Sequence, residues 1–343
     1  MSAHHIAIQR TGLVTAVGLS ARESCAAFRA KISNPTETSF IGSDGEWIMA
    51  HQVRLDRPWR GITKLAKMAA MAIDEVLQGI PCKEWEALPL LLCVAETDRP
   101  GRLVGLDDQL LLQIQQEFDV RFAPLSAVIP HGRVGVAIAL AQARTLIMKG
   151  GASKVLVAAT DSLLSWPTLN HYDRNDRLLT TSNSNGFIPG EGAGALLVSA
   201  ATSKAGELVC RGIGFGHEAA HIYSGEPLKA DGLTQAIKDS LTEANYQMHE
   251  CDYRITDVSG EQYYFKEAAL AMTRTLRQRK EEFDIWHPAE CTGEAGAVSG
   301  VTVIANARAA SDKGYAKGLN ALAHWANDSG RRAAMALQHC RAP

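Results

Sequence analysis

Short apolar runs alternate with longer segments of helical period along this chain. The apolar or β-branched runs, each bounded by turn residues, predict strands at residues 6–9, 90–95, 154–159, 194–199, 207–213 and 255–258. Apolar positions recurring every three or four residues predict helices at residues 62–77, 134–149, 233–244, 261–279 and 297–310. This alternation indicates an α/β protein whose strands are mainly buried.

The chain also repeats itself at a constant offset of 164 residues. The segments LAQARTLIMKGGASK and IANARAASDKGYAKG align without a gap, and Gly132 and Gly296 match upstream at the same offset. Chance similarity between two alanine-rich helices is the alternative explanation. We expect two copies of one α/β half, an N-terminal half at residues 1–200 and a C-terminal half at residues 201–343.

Composition excludes several classes of protein. The 343 residues carry 35 basic and 37 acidic side chains, a net charge of −2, so the basic face of a nucleic-acid binding protein is not expected. The longest apolar runs have eight residues, whereas a membrane-spanning helix needs about 20. The first residues, MSAHHIAIQR, lack the pattern of a signal peptide, and we therefore expect a cytoplasmic protein.

The seven cysteines are dispersed and never form a CxxC pair. This spacing supports neither a disulfide framework nor a metal site, and most of these cysteines are expected to be small buried apolar residues. We predict no metal and no cofactor.

The string GFIPGEGAGALLV, at residues 186–198, is the most specific in the chain. Four of the nine residues from Gly186 to Gly194 are glycine, which indicates a loop where backbone passes close to backbone before a buried strand. It has neither form of the glycine-rich loops that bind nucleotide phosphates. The string resembles the GF-x-x-GEGAG signature of the β-ketoacyl-[acyl carrier protein] synthases, which are condensing enzymes of the thiolase fold.

Further strings follow the order of that family over nearly the whole chain. They are TGLVTAVG near the N-terminus, GGASKVLVAATDS after the helix at 134–149, DVSGEQYYFKEAALA from Asp257, and ECTGEAGAVSG from Glu290. The resemblance implies a five-layered αβαβα sandwich built of two similar halves, in agreement with the internal repeat.

The resemblance also locates the residues of the family's chemistry, which needs a cysteine thiolate at a helix N-terminus and two histidines. The equivalent positions here hold His131, Ser259 and Glu290, so no catalytic residue is intact. The family's lysine and glutamate match Ile285 and Ser299, and its glycine-rich gating loop has become NDSGRR. The chain therefore resembles a catalytically degenerate member of the family.

Two kinds of function follow from this resemblance. The first is a scaffold, adaptor or partner subunit acting through protein contacts, similar to chain length factors or to the synthase-like proteins encoded beside bacterial type VI secretion effectors. The second is a site rebuilt around His131 and Glu290, with Cys291 nearby, for acyl transfer, hydrolysis, or binding of an acyl chain or acyl carrier protein. The partner in the first case is an active ketosynthase, an acyl carrier protein or a secretion effector.

Two structural expectations complete this interpretation. We expect a homodimer formed by edge strands near residues 154–159, because the family forms two-fold dimers. We also expect the aromatic run at Tyr263, Tyr264 and Phe265 to fill the space of the family's catalytic cavity.

Overall fold

The computed structural model describes residues 5–341, and within that range it contains twelve strands and ten helices. The strands are β1 (Ile6–Val14), β2 (Thr36–Ile41), β3 (Trp47–Ala50), β4 (Leu90–Cys93), β5 (Ala127–Ile129), β6 (Lys154–Ser162), β7 (Glu191–Ala200), β8 (Leu208–His217), β9 (Tyr253–Thr256), β10 (Ile285–Trp286), β11 (Asn320–Ala326) and β12 (Arg331–His339). The helices are α1 (Ala21–Ala30), α2 (Gly61–Leu77), α3 (Cys82–Trp85), α4 (Leu110–Phe118), α5 (Gly135–Met148), α6 (Trp166–Arg174), α7 (Asp231–Ala244), α8 (Gln262–Thr275), α9 (Ala289–Thr292) and α10 (Ser299–Asp312). Short 3₁₀ turns lie at Gly132–Val134, Met248–Glu250 and Gly296–Val298.

Ten of these strands form one sheet in the order β5-β4-β6-β7-β1-β8-β12-β11-β9-β10. The junction between β1 and β8 divides this sheet into two sides of five strands each. If the five strands of each side are numbered 1 to 5 in chain order, both sides have the order 3-2-4-5-1 from the outer edge to the junction. At the junction Ile6–Ile8 pairs antiparallel with Leu208–Cys210. The two sides therefore share one topology. The division at residue 200, where β7 ends, stays a prediction as a domain boundary.

Alternate side chains of the strands face different layers. In β4, Leu91 and Cys93 join a central core with α5, α10 and residues of β9 and β11, whereas Leu90 and Leu92 pack outward against α2 and α4. On the other side Leu322 of β11 packs outward against α7 and α8. From one surface to the other, the five layers are the helices α2 and α4, one half of the sheet, the central helices α5 and α10, the other half of the sheet, and the helices α7 and α8. This order confirms the αβαβα sandwich predicted from the sequence.

The internal repeat corresponds to the central layer. Each of α5 and α10 follows a 3₁₀ turn that begins at a glycine with positive φ, 52° at Gly132 and 56° at Gly296. In each turn a backbone N–H donates to a side chain that comes from the other half of the sheet. The Val134 N–H donates to Asn327 Oδ1 at 3.2 Å, and the Ala297 N–H donates to Asp161 Oδ2 at 2.8 Å. The repeated sequence thus folds into equivalent elements that hold the two sides together.

The predicted edge strand at residues 154–159 is wrong. β6 lies inside the sheet, hydrogen-bonded to β4 on one side and β7 on the other. The apolar run VLVAA, without alternation, indicates a strand buried on both faces, but the pairing of its two edges depends on which strands flank it. The outermost strands of the sheet are instead β5 and β10. Within residues 5–341 no helix is long and apolar enough to cross a membrane.

Candidate functional site

The glycine-rich signature packs tightly against the segment that precedes α10. A Cβ on Gly190 would lie 2.2 Å from the Thr292 carbonyl oxygen, and a Cβ on Gly194 would lie 2.6 Å from Val301. The Gly190 N–H donates to the Glu294 carbonyl oxygen at 2.8 Å. The close approach predicted from the glycines is confirmed, and it places the Glu294 side chain between the two halves.

His131 occupies the N-cap position of the 3₁₀ turn before α5, and its side chain makes no capping hydrogen bond. Its Nδ1 accepts a hydrogen bond from the Arg331 guanidinium, so the imidazole is held as an acceptor at that nitrogen. Partial burial and the Arg331 charge lower the pKa of His131, although Asp98 opposes them. A neutral imidazole is therefore favoured at physiological pH, in the position that the sequence predicts to match the family's nucleophile.

The other two family-equivalent positions lie in different surroundings. Ser259 donates from Oγ to Glu294 Oε2 at 3.0 Å and so points into the interior. Glu290 is about one-third exposed and lies 3.8 Å from Lys31 Nζ at the end of α1. Burial raises the pKa of the neighbouring Cys291 thiol to about 11, which opposes thiolate formation. The structure does not bring Glu290 and Cys291 to His131.

His131 instead borders an apolar groove of about 670 Å³ that lies beside the open edge of β5. Its walls come from β4, β5, α5 and the end of β8, and its polar rim includes Gln142 and Arg331. Neither Ser259 nor Glu290 lines it. Among the described residues that line the groove there is no carboxylate and no thiol, so it lacks the acid and the thiol nucleophile of a rebuilt catalytic set.

A buried ion network occupies the interior between the two halves. Arg133 donates from Nη1 to Glu294 Oε2 at 3.2 Å and from Nη2 to Asp328 Oδ1 and the Tyr264 hydroxyl, both at 2.7 Å. Its Nε lies 3.8 Å from Asp257. The arginine comes from the turn before α5, and all four partners come from the C-terminal side of the sheet. These contacts link the two sides in the middle of the molecule.

A second arginine extends the network toward the glycine-rich segment. Arg177 makes a bidentate pair with Glu261, with both N–O distances at 2.7 Å, and donates from Nη1 to Asp328 Oδ2 at 2.6 Å. Its guanidinium also lies 5.0 Å from the Tyr172 ring centroid and 5.6 Å from that of Phe187. Bidentate geometry and ring stacking fix this arginine in one orientation.

The network sets opposite pKa shifts on its two central carboxyl groups. Burial raises the pKa of Glu294 to about 7, and Arg133 only partly offsets this effect. Burial also opposes ionisation of Asp328, but Arg177 and Arg133 together hold its pKa well below the usual range. Asp328 therefore stays ionised at neutral pH, whereas Glu294 takes up a proton near neutral pH.

The space left inside this network measures about 10 Å³ and is bounded by Arg133, Arg177, Glu294 and Asp328 among others. A cavity needs about 10–15 Å³ to hold one water molecule. No acyl chain fits there. Tyr264 contributes to this filling, whereas the Tyr263 hydroxyl turns away to donate to the Ala220 carbonyl oxygen. That the run Tyr263, Tyr264 and Phe265 fills the space of the family's catalytic cavity stays a prediction.

Sequence reasoning missed the charged members of the network. A signal for them exists, because Arg133 and Glu294 are single charges within glycine-rich and apolar strings, VIPHGRVG and CTGEAGAV, that precede buried helices. Among residues 5–341 no group of three or more histidine, cysteine, aspartate or glutamate side chains is placed to hold a metal ion.

No protein-family model matches the sequence, and no curated protein matches it. Solved structures do match it. The ishigamide ketosynthase/chain length factor gives a TM-score of 0.79 at 14% identity, with 98% of this chain and 99% of that chain covered. A ketosynthase in complex with its chain length factor from Xenorhabdus doucetiae gives 0.78 at 13% identity, with 98% of both chains covered.

A third structure is a type II polyketide synthase acyl-carrier protein in complex with its ketosynthase bound to the hexaketide. It gives a TM-score of 0.78 at 14% identity and covers 98% of this chain and 100% of that chain. The similarity extends over whole chains, so the resemblance to the ketosynthases inferred from the sequence is confirmed for the fold.

Proposed function

We propose that this chain is a non-catalytic protein of the ketosynthase fold that acts through protein contacts as a scaffold, adaptor or partner subunit. The observation that carries the proposal is the interior filled by Arg133, Arg177 and their carboxylate partners, with room for about one water molecule. Ser259, at the position predicted for the family's first assisting histidine, donates to Glu294 of this network, so the filled interior leaves no room for a substrate beside that position. A protein that works through its surface gains rigidity when such an interior is filled.

The chemistry of the described residues supports the same proposal. Condensation needs a thiolate, but an imidazole stands at position 131, and the nearby thiol of Cys93 is fully buried with its pKa raised by that burial. The two assisting histidines are replaced by Ser259 and Glu290. Removal of one group that stabilises the transition state typically costs about 10² to 10³ in rate, and here both are replaced.

The surface around β5 is the proposed contact with another subunit. Among the described residues β5 pairs with β4 alone and leaves its other edge open, beside the apolar groove that His131 borders. Leu125 and Phe215 line this groove and are 55% and 40% exposed. An open strand edge next to apolar side chains is suited to pairing with a second chain. We propose a second ketosynthase-fold subunit there, either a copy of this chain or an active ketosynthase.

Two settings fit such a partner subunit. One is a chain-length-factor-like role beside an active ketosynthase and its acyl carrier protein, and the other is a role beside a type VI secretion effector. Neighbouring genes distinguish the two settings, because the first requires an intact ketosynthase and a carrier, and the second requires secretion genes.

Light scattering on the purified chain tests the contact surface. We expect about twice the monomer mass of 37.0 kDa at micromolar concentration, or a stable complex with a ketosynthase from the native host. The variants Leu125→Asp and Phe215→Asp should weaken either assembly, because each places a charge in the apolar contact. Val104→Asp is the matched control, since Val104 is 91% exposed and does not line the groove. A wild-type monomer that retains no host ketosynthase contradicts the proposed surface.

A further inference from the structure

A second concave site lies away from the ion network, where the loop before α2 passes the β2–β3 hairpin and the end of β6. It encloses about 590 Å³. We call it the basic cleft and define it by Arg54, Arg57, Trp59, Arg60 and Lys64, all of which line it. Its volume is within the range of sites that hold small ligands.

The loop that carries these side chains is fixed to the glycine-rich signature. Glu191 is 2% exposed and accepts hydrogen bonds from the Val53 N–H and from Ser162 Oγ, both at 3.0 Å. It also pairs with the Lys64 ammonium group. Because Glu191 binds residues on both sides of the arginines, the loop is held in place at both ends. The cleft is thus preorganised in the absence of a ligand.

The three arginines of the cleft take no part in the ion pairs of the described residues. Arg54, Arg57 and Arg60 are exposed, and within residues 5–341 none of them forms an ion pair. The Arg57 guanidinium lies 5.9 Å from the Trp59 ring centroid. Of the carboxylates that line the cleft, Glu191 is neutralised by Lys64, which leaves the exposed Asp56 against three cations. The cleft carries a local positive charge in a chain whose net charge is −2.

The N-terminus of α2 opens at the same place and adds to this charge. Arg60 occupies the N-cap position and makes no capping hydrogen bond with its side chain, and the first turn of this 17-residue helix contains no acidic residue. In α1, by contrast, Ser20 caps the helix and Glu23 lies in the first turn. The first N–H groups of α2 therefore keep their partial positive charge for an external acceptor.

We propose that the basic cleft binds a small organic phosphate. The phosphate group lies among Arg57, Arg60 and the first N–H groups of α2, where guanidinium groups can donate two hydrogen bonds to its oxygens. The organic part packs against the apolar side of the cleft, formed by Leu55, Leu103 and Leu164 among others. A concave site lined by both cations and leucines fits such an amphiphilic ligand better than it fits a flat polyanionic partner. This assignment is independent of the proposed function.

Calorimetric titration of the full chain with phenyl phosphate and with inorganic phosphate tests the assignment. We expect phenyl phosphate to bind more tightly, because only it has an apolar part. The double variant Arg57→Ala/Arg60→Ala should weaken this binding about tenfold to a hundredfold for each lost charge-assisted contact. The matched control is Arg277→Ala/Arg279→Ala, which removes two exposed arginines from a distant loop. Hydrogen exchange should show added protection at residues 61–64 when phenyl phosphate is bound.

Three results would overturn the assignment. Equal affinity of the two double variants would show that the binding is not at the cleft. Equal affinity for phenyl phosphate and inorganic phosphate would remove the role of the apolar side. Binding of poly-glutamate, without binding of phenyl phosphate, would identify the cleft as a surface for acidic polypeptides.

Discussion

Replacing Arg133 with methionine tests how strongly the buried ion network stabilises the protein. The substitution keeps an unbranched side chain but removes the cation that pairs with Glu294 at 3.2 Å and Asp328 at 2.7 Å. It also leaves the buried Asp257 without its nearest cation. Removal of one partner from a buried ion pair typically costs about 3–5 kcal/mol, because the remaining charge stays desolvated. We expect a loss of this size in the free energy of unfolding.

Urea and thermal unfolding, followed by circular dichroism, measure this loss. In a chain of this size, 1 kcal/mol corresponds to a change in Tm of roughly 2 °C, so Arg133→Met should unfold about 6–10 °C below the wild type. The control is Arg144→Met in α5. Arg144 lies 2.7 Å from Glu243, but both side chains are partly exposed, and the loss should stay below about 1 kcal/mol.

The pH dependence of the same variant provides a second readout. At acidic pH the buried carboxyl groups near position 133 take up protons, so fewer uncompensated charges remain in the variant. The difference between Arg133→Met and the wild type should therefore shrink between pH 7 and about pH 5. If Arg133→Met is as stable as Arg144→Met at pH 7, the network does not stabilise the fold and the reasoning is wrong.

Three further predictions concern single residues. The pKa of Glu294 is raised to about 7 in the folded chain, so its ionisation costs stability as the pH rises from about 5 to 8. Glu294→Gln should lose this pH dependence in urea unfolding. Subtracting the stability of one protein from that of the other removes the contribution of the buried histidines, which titrate in both. Gly260→Ala should destabilise the fold by several kcal/mol, because φ is positive at 138° and a Cβ would lie 2.4 Å from the Gly186 carbonyl oxygen. Gly151→Ala, with positive φ in open space, should cost only about 1 kcal/mol by urea unfolding. Among the cysteines Cys82 is exposed, and a thiol reagent should label it in the native state while the buried cysteines react only after unfolding.

The layered fold could be predicted from the sequence because periodicity and internal repetition both report on backbone arrangement. The repeat at 164 residues corresponds to α5 and α10 and to the glycines before them, where the positive φ at Gly132 and Gly296 restricts the residue type. The glycine-rich signature was equally informative, because a side chain at Gly190 would meet backbone. Constraints of this kind are local, and a sequence shows them directly.

Pairings between distant segments could not be predicted. Arg133 and Asp328 are 195 residues apart, and no local pattern indicates that they meet. The position of β6 inside the sheet depends likewise on which strands flank it, so its apolar run alone did not settle whether it was an edge. The strands β11 and β12 escaped prediction because NALAHWA and RRAAMALQH are alanine-rich and contain polar residues that face buried partners.

The central claim is that this ketosynthase-fold chain does not perform acyl chemistry. Intact-protein mass spectrometry, combined with an assay of decarboxylation, tests it directly after incubation with acyl and malonyl carrier protein. The claim predicts no acyl adduct and no turnover for the wild type or for His131→Ala. For His131→Cys it predicts at most slow acyl trapping without turnover, since Ser259 and Glu290 stand at the positions predicted for the assisting histidines. An acyl adduct or turnover in the wild type that disappears in His131→Ala would contradict the claim and assign catalysis to His131.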